Sequence, residues 1–206
     1  MQPPLPVLVA LSPGDLSEPD ARALLGRVER AVAGGLEALI LREPELGDRA
    51  YLELGRRLRA LLRVLVVHDR AHLLRELGAD ALQLGHRSLP PAIARGILGD
   101  AIPIGFSAHA HDAAQARAGA DFLLCGPVLP TPSKQGLVEP LGFEGLAREC
   151  AREKRPIWAI GGLKPEHAGA ARAAGASGVA VLSGVLGASD PERAARSYLD
   201  AWERAR

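Results

Sequence analysis

Four groups of residues in this 206-residue chain have types and spacings suited to chemistry. The first is Gly161-Gly162 with Ser183-Gly184. Paired small residues let backbone N–H groups approach an anion with no side chain between, and N–H groups free at a helix start attract phosphate. The competing explanation is that these turns answer only to chain geometry. The second group joins two cations, Arg42 and Lys134, to the hydroxyls of Thr131 and Ser133. Together they suit a further anionic group, unless they are ordinary surface residues. The third is three histidines, His68, His86 and His109, whose ring nitrogens exchange protons near neutral pH. A lone histidine is more often structural. The fourth is Asp69, a metal ligand or a salt-bridge partner. One carboxylate serves Mg²⁺ when substrate oxygens and waters complete the shell. Cys125 reads as buried packing.

All of these follow short apolar runs. The runs are 5–11, 37–42, 64–68, 81–84, 102–106, 122–125, 157–160 and 178–182. They are continuous in Val, Ile, Leu and Ala, as befits strands covered on both faces. Between them lie amphipathic stretches such as Asp20–Ala33, Asp48–Arg63 and Pro191–Arg206. Eight strand-then-helix units predict an α/β fold, a single (β/α)8 TIM barrel over residues 1–206, in preference to an open doubly wound sheet. In such barrels the active site gathers at the C-terminal strand ends, with phosphate bound after strands 7 and 8. Here Arg42-Glu43 follow strand 2, His68-Asp69 strand 3, and Gly85-His86 strand 4. Ser107 and His109 follow strand 5, Gly126 to Lys134 strand 6, Gly161-Gly162 strand 7, and Ser183-Gly184 strand 8.

An internal repeat supports the barrel. Gly34-Gly35-Leu36-Glu37, Gly78-Ala79-Asp80, Gly119-Ala120-Asp121 and Gly175-Ala176-Ser177 each lead into an even-numbered strand. The glycine ends the preceding helix in a left-handed cap. Residues 126–142, rich in Pro and Gly and without a period, break the rhythm as a long loop after strand 6.

Composition narrows the class. A net charge of +1 gives no reason to expect nucleic acid or an anionic membrane as partner. No apolar run reaches the roughly 20 residues that span a bilayer. Cys125 and Cys150 have no metal spacing, and a cytoplasmic location is the simple expectation. Homo-oligomerisation is left open. The chain has no Asn, one Met and 16 Pro, which suggests heat adaptation, although high-GC codon use would also favour Arg and Ala.

Taken in order, Leu41-Arg42-Glu43, Val67-His68-Asp69-Arg70, Leu82-Gln83-Leu84-Gly85 and Gly105-Phe106-Ser107-Ala108-His109 form a recognisable series. Gly126 to Lys134, Ala159-Ile160-Gly161-Gly162 and Val179 to Ser183 complete it. The whole resembles the superfamily of thiamine phosphate synthase and TenI-type thiazole tautomerase. The synthase joins a thiazole phosphate to a pyrimidine methyl diphosphate and releases pyrophosphate. The resemblance implies that Gly162 and Ser183 hold the thiazole phosphate. It implies that Arg42, Ser107, Thr131, Ser133 and Lys134 hold the diphosphate, with Asp69 as one Mg²⁺ ligand.

Four positions depart from the synthase pattern. Ile40 stands for its Gln, Pro44 for its Lys, His68 for its Asn, and Ser88 for its second Mg²⁺ aspartate. Losing a metal ligand counts against pyrophosphate departure. Gln83 and Ser88 look closer to the tautomerase, which needs no cofactor, although Pro127 stands where its acid–base His belongs. The resulting expectation is a TenI-like isomerase of a thiazole phosphate in thiamine biosynthesis, with His86, then His68 or His109, moving the proton. A Mg²⁺-dependent synthase is the alternative, and a non-catalytic phosphate-ligand binder a third. Lys134 would be essential to a synthase and only a binding group in a tautomerase. A bulky residue at Gly162 is expected to block the phosphate without disturbing the barrel.

Overall fold

The computed structural model describes residues 5–17, 20–109, 112–131 and 138–205. The elements run β1 (Leu8–Leu11), α1 (Asp20–Ala33), β2 (Ala38–Leu41), α2 (Asp48–Leu61), β3 (Val64–His68), α3 (Leu74–Leu77), β4 (Ala81–Leu84) and α4 (Pro91–Leu98). They continue β5 (Ile104–Ala108), β6 (Phe122–Cys125), α5 (Gly142–Arg152), β7 (Ile157–Ile160), α6 (Ala168–Ala173), β8 (Gly178–Val181), α7 (Ser183–Leu186) and α8 (Pro191–Arg204). All strand pairs are parallel, and β8 returns to β1, so the sheet closes into a TIM barrel.

Alternation along each strand divides the apolar residues into two cores. Val9, Ile40, Val66, Phe122, Leu124, Trp158 and Ala180 fill the barrel interior. Leu39, Leu65, Leu82, Leu123 and Val179 face outward, where α1, α2 and α8 cover them with Leu25, Leu54, Tyr51 and Tyr198. The interior is wide enough for Trp158 only because Gly178 is its neighbour; a Cβ there would lie 2.3 Å from the indole nitrogen. That nitrogen donates to the carbonyl of Pro6 at 2.8 Å. Phe122 meets the indole edge-on, with ring centroids 5.8 Å apart.

The repeat before the even strands is visible in the backbone. Gly35, Gly78, Gly119 and Gly175 all have positive φ. After α3, Gly78 donates to Arg75 and Ala79 to Leu74, the paired bonds of a Schellman cap. The repeat's acid also has a task. The Asp80 carboxylate accepts the Leu65 N–H at 2.8 Å, and that of Asp121 accepts the Ile104 N–H at 2.7 Å. Each also pairs with an arginine, Arg59 and Arg95 respectively.

Several boundaries differ from the sequence reading. β1 starts at Leu8 instead of at residue 5. β5 runs to Ala108, because Ser107 and Ala108 continue pairing with Leu124 and Cys125. α2 ends at Leu61, and Leu62 turns extended to begin the approach to β3. Between β5 and β6 there is a 3₁₀ turn, Ala114–Arg117, instead of a helix among the described residues.

Truncating the central indole tests this interior. Trp158→Ala should lower unfolding free energy by about 3–5 kcal/mol in urea titrations, the usual cost of an aromatic cavity.

Candidate functional site

The inward-facing rows of the barrel end in polar residues at its mouth. Arg42 follows Ala38 and Ile40 in phase, and His68 follows Val64 and Val66. Gln83 follows Ala81, and Ser107 follows Gly105. His68, Gln83 and Gly105 lie side by side in register. The Gln83 amide donates to Ser107 Oγ at 3.0 Å and to the Leu84 carbonyl at 3.1 Å. Its Oε1 is buried and has no partner among the described residues, so this end of the amide can take a ligand's polar hydrogen.

Asp69 breaks the alternation. It is the one described non-glycine residue with positive φ, at 64°, a conformation that costs energy and clusters at functional sites. The turn places its carboxylate 3.1 Å from His68 Nδ1. Ser88 also hydrogen-bonds it, while the same hydroxyl accepts the Gly85 N–H at 2.7 Å. Burial alone would raise the Asp69 pKa. The hydrogen bonds from His68 and Ser88, with the charges of His68 and Arg42, outweigh burial and hold it below the usual value. The mouth thus presents an ionised carboxylate, half exposed at 47%.

Neighbouring groups hold this rim in place. Glu43 is buried and accepts the N–H groups of Gly14 and Leu16 at 3.0 and 2.9 Å, tying the loop after β1 to the end of β2. Arg42 donates its N–H to Ser12 Oγ at 2.8 Å, and its guanidinium lies over Gly14. Arg70 stacks on Tyr51 and reaches Asp48 and the carbonyls of Glu43, Pro44 and Leu46.

On the opposite side the loops after β6 and β7 run together. Val128 donates to Ile160 O at 2.9 Å and Leu129 to Gly161 O at 3.0 Å. Gly161 and Gly162 have φ of 98° and 69°. A Cβ on Gly161 would stand 2.7 Å from Pro127, and one on Gly162 would stand 2.6 Å from the Pro130 carbonyl. This corrects the expectation for Gly162: any side chain there displaces the β6 loop, so Leu is not a selective block. Ser183 is exposed at the start of α7, a single turn, and Gly184 packs under Tyr198. The Tyr198 hydroxyl donates to Leu163 O at 2.7 Å, so α8 fastens both glycine turns. Burial, then the Glu166 charge, push the Tyr198 pKa up to about 12.

The remaining expected residues are distributed as follows. His86 Nε2 lies 2.9 Å from Asp112 Oδ1, and the His86 and His109 rings stack at 4.3 Å. Asp112 and Gln83 carry contacts at the mouth that the sequence reading did not assign. Thr131 lies at the edge of the described loop, whereas Ser133 and Lys134 lie outside the described residues. Cys125 is buried, and burial, followed by the Glu149 charge, lifts its pKa to about 12, which suits packing and not nucleophilic attack.

Comparison with known proteins places the chain. Residues 10–185 match the family described as Thiamine monophosphate synthase. The chain is 42% identical over 191 residues to a thiamine-phosphate synthase of Moorella thermoacetica, covering 90% of this chain and 91% of that one. It is 38% identical over 196 residues to another from Syntrophomonas wolfei, covering 92% and 94%. The solved structure of thiamine phosphate pyrophosphorylase from Pyrococcus furiosus superimposes with a TM-score of 0.83 at 30% identity, covering 96% of each chain. These relatives overturn the tautomerase expectation: the two curated ones are named thiamine-phosphate synthase, the solved structure thiamine phosphate pyrophosphorylase, and none of the three a tautomerase. Ser88 in place of a second aspartate still leaves one carboxylate, and Mg²⁺ is commonly held by one carboxylate plus substrate phosphates.

The Asp112 contacts have a pH signature. Burial raises its pKa, but the His109 N–H, the His86 hydrogen bond and the histidine charges lower it further than burial raises it. A carboxyl depressed on folding stabilises the protein above its unfolded pKa of about 3.9, and that contribution is lost as pH falls through the lower folded value. The deficit of Asp112→Asn in thermal unfolding should therefore be full near pH 5 and shrink on further acidification. A deficit that grows on acidification would reverse the sign assigned to Asp112.

Proposed function

The chain belongs to the thiamine monophosphate synthase family, and from that premise we propose that it is a thiamine phosphate synthase, a transferase joining a thiazole phosphate to a pyrimidine methyl diphosphate with release of pyrophosphate. The observation that carries the reading is Asp69, held ionised at the mouth in a strained backbone conformation between His68 and Ser88. Such strain persists where the surrounding structure over-determines it and a site needs it.

Divalent magnesium fits this donor set. Asp69 offers a hard carboxylate oxygen, half exposed, and the Ser88 hydroxyl stands beside it. When bound there, Mg²⁺ supplies charge to offset the leaving diphosphate. His68 keeps Asp69 ionised, and Arg42 adds a second positive charge at the same rim. By family resemblance, Ser107, Thr131, Ser133 and Lys134 complete the diphosphate side. Gln83 offers its unpartnered amide end to the pyrimidine.

The thiazole phosphate belongs across the barrel, at Gly161-Gly162 and Ser183-Gly184. Both glycines turn the chain with positive φ, which leaves backbone N–H groups open to approach by an anion. Separating the two anionic groups by the barrel width leaves the reacting carbon and nitrogen to meet between them, an arrangement worth several orders of magnitude in rate. No described helix is long and apolar enough to cross a membrane, and both cysteines are free, which accords with a cytoplasmic enzyme.

With both substrates present, the parent should release pyrophosphate only when Mg²⁺ is supplied, and EDTA should stop it. Asp69→Asn should lower kcat by at least tenfold while the circular dichroism spectrum stays unchanged. Binding of thiazole phosphate with no pyrophosphate at any Mg²⁺ concentration would instead favour the non-catalytic binder.

A further inference from the structure

We propose that His86, His109 and Asp112 form a binding site for a borderline divalent cation of the Zn²⁺ class, distinct from the Asp69 carboxylate. The three residues stand at the C-terminal ends of the adjacent strands β4 and β5, and one ligand atom from each lies within 4.8 Å of the others. A tetrahedral ion with bonds of about 2.0–2.1 Å holds its ligand atoms roughly 3.3–3.4 Å apart, so the three groups must draw in by up to about 1.4 Å, within reach of side-chain rotation.

The surroundings prepare the cluster. The His109 N–H donates to Asp112 Oδ2 at 2.7 Å, which turns Oδ1 toward His86 Nε2 at 2.9 Å. The His109 carbonyl in turn accepts from the buried Arg117 at 2.8 Å, and Arg117 is anchored by Glu149 at 2.9 Å. Phe106 packs against the His86 ring, with centroids 5.1 Å apart. Such outer contacts fix ligand orientation and raise affinity.

Two imidazole rings stacked at 4.3 Å bring two nitrogen donors within reach of one shared cation. The rings are within 19° of parallel, so closing on one ion requires one of them to turn about its Cβ–Cγ bond. That torsion has broad minima. Two nitrogens and one carboxylate oxygen select Zn²⁺, Co²⁺ or Ni²⁺ over Mg²⁺, which prefers an all-oxygen shell. Three protein ligands leave at least one position for water or an anionic group.

The experiment is calorimetric titration of the metal-free full chain with ZnCl2 in a large excess of MgCl2. One Zn²⁺ per chain should bind. His86→Gln and Asp112→Asn should each weaken it at least tenfold, whereas His72→Gln, a surface ring paired with Asp48, should leave it unchanged. X-ray absorption of the zinc-loaded parent should show two imidazole nitrogens, and it decides the matter if the variants fail to fold by circular dichroism. No uptake under Mg²⁺, equal affinity in the two folded site variants, or a spectrum without imidazole would overturn the site.

Discussion

The mouth of this barrel depends on two stretches of backbone that approach too closely for side chains. The loop after β6 lies against the turn after β7, joined by the hydrogen bonds of Val128 to Ile160 and Leu129 to Gly161. Added Cβ atoms on Gly126, Gly161 and Gly162 would come to 2.0, 2.7 and 2.6 Å of the facing backbone. The glycines therefore serve the seam first. Because they do, the turn after β7 is held in left-handed conformation without strain, with no side chains standing between its amides and an anion. The proposed phosphate binding and the loop packing would draw on the same missing atoms.

The seam also couples distant parts of the site. It fixes residues 126–130, which lead directly toward Thr131. Its other edge is tied through the Leu163 carbonyl to Tyr198, and from there to Gly184 and the start of α7. The opposite rim is held by different means, with charged groups as the ties: Glu43 on the loop after β1, and Arg70 on the loop after β2. Asp69 sits on that polar rim. One side of the mouth is thus rigid through backbone contact and the other through buried ion-assisted hydrogen bonds, which are roughly twice as strong as neutral ones.

Much of this was legible in the residues. Continuous Val, Ile and Leu runs revealed six strands nearly at their observed limits, since burial on both faces leaves no ambiguity of period, while β1 begins three residues later than its apolar run. β5 was read two residues early because Ser107 ended its apolar run, while the ladder pairs backbone atoms and ignores that hydroxyl. The positive φ at Gly35, Gly78, Gly119 and Gly175 followed from the repeat. What could not be read was partnership across the sheet. Gln83 meeting Ser107, and Asp112 meeting His86, depend on the register of neighbouring strands, which no local pattern encodes. The histidines looked like isolated acid–base groups because their carboxylate partners were invisible. The functional assignment failed on a similar ground: Ser88 was judged as a missing ligand, whereas the structure shows it serving Asp69 and Gly85.

Side-chain-free backbone contact between the β6 and β7 loops shapes the proposed phosphate site. Gly161→Ala tests it most directly, because the added methyl group meets Pro127 and leaves the barrel core untouched. Calorimetric titration with thiazole phosphate should show affinity reduced at least tenfold, about 1.4 kcal/mol, in a protein whose circular dichroism matches the parent. Undiminished affinity in that folded variant would contradict the account.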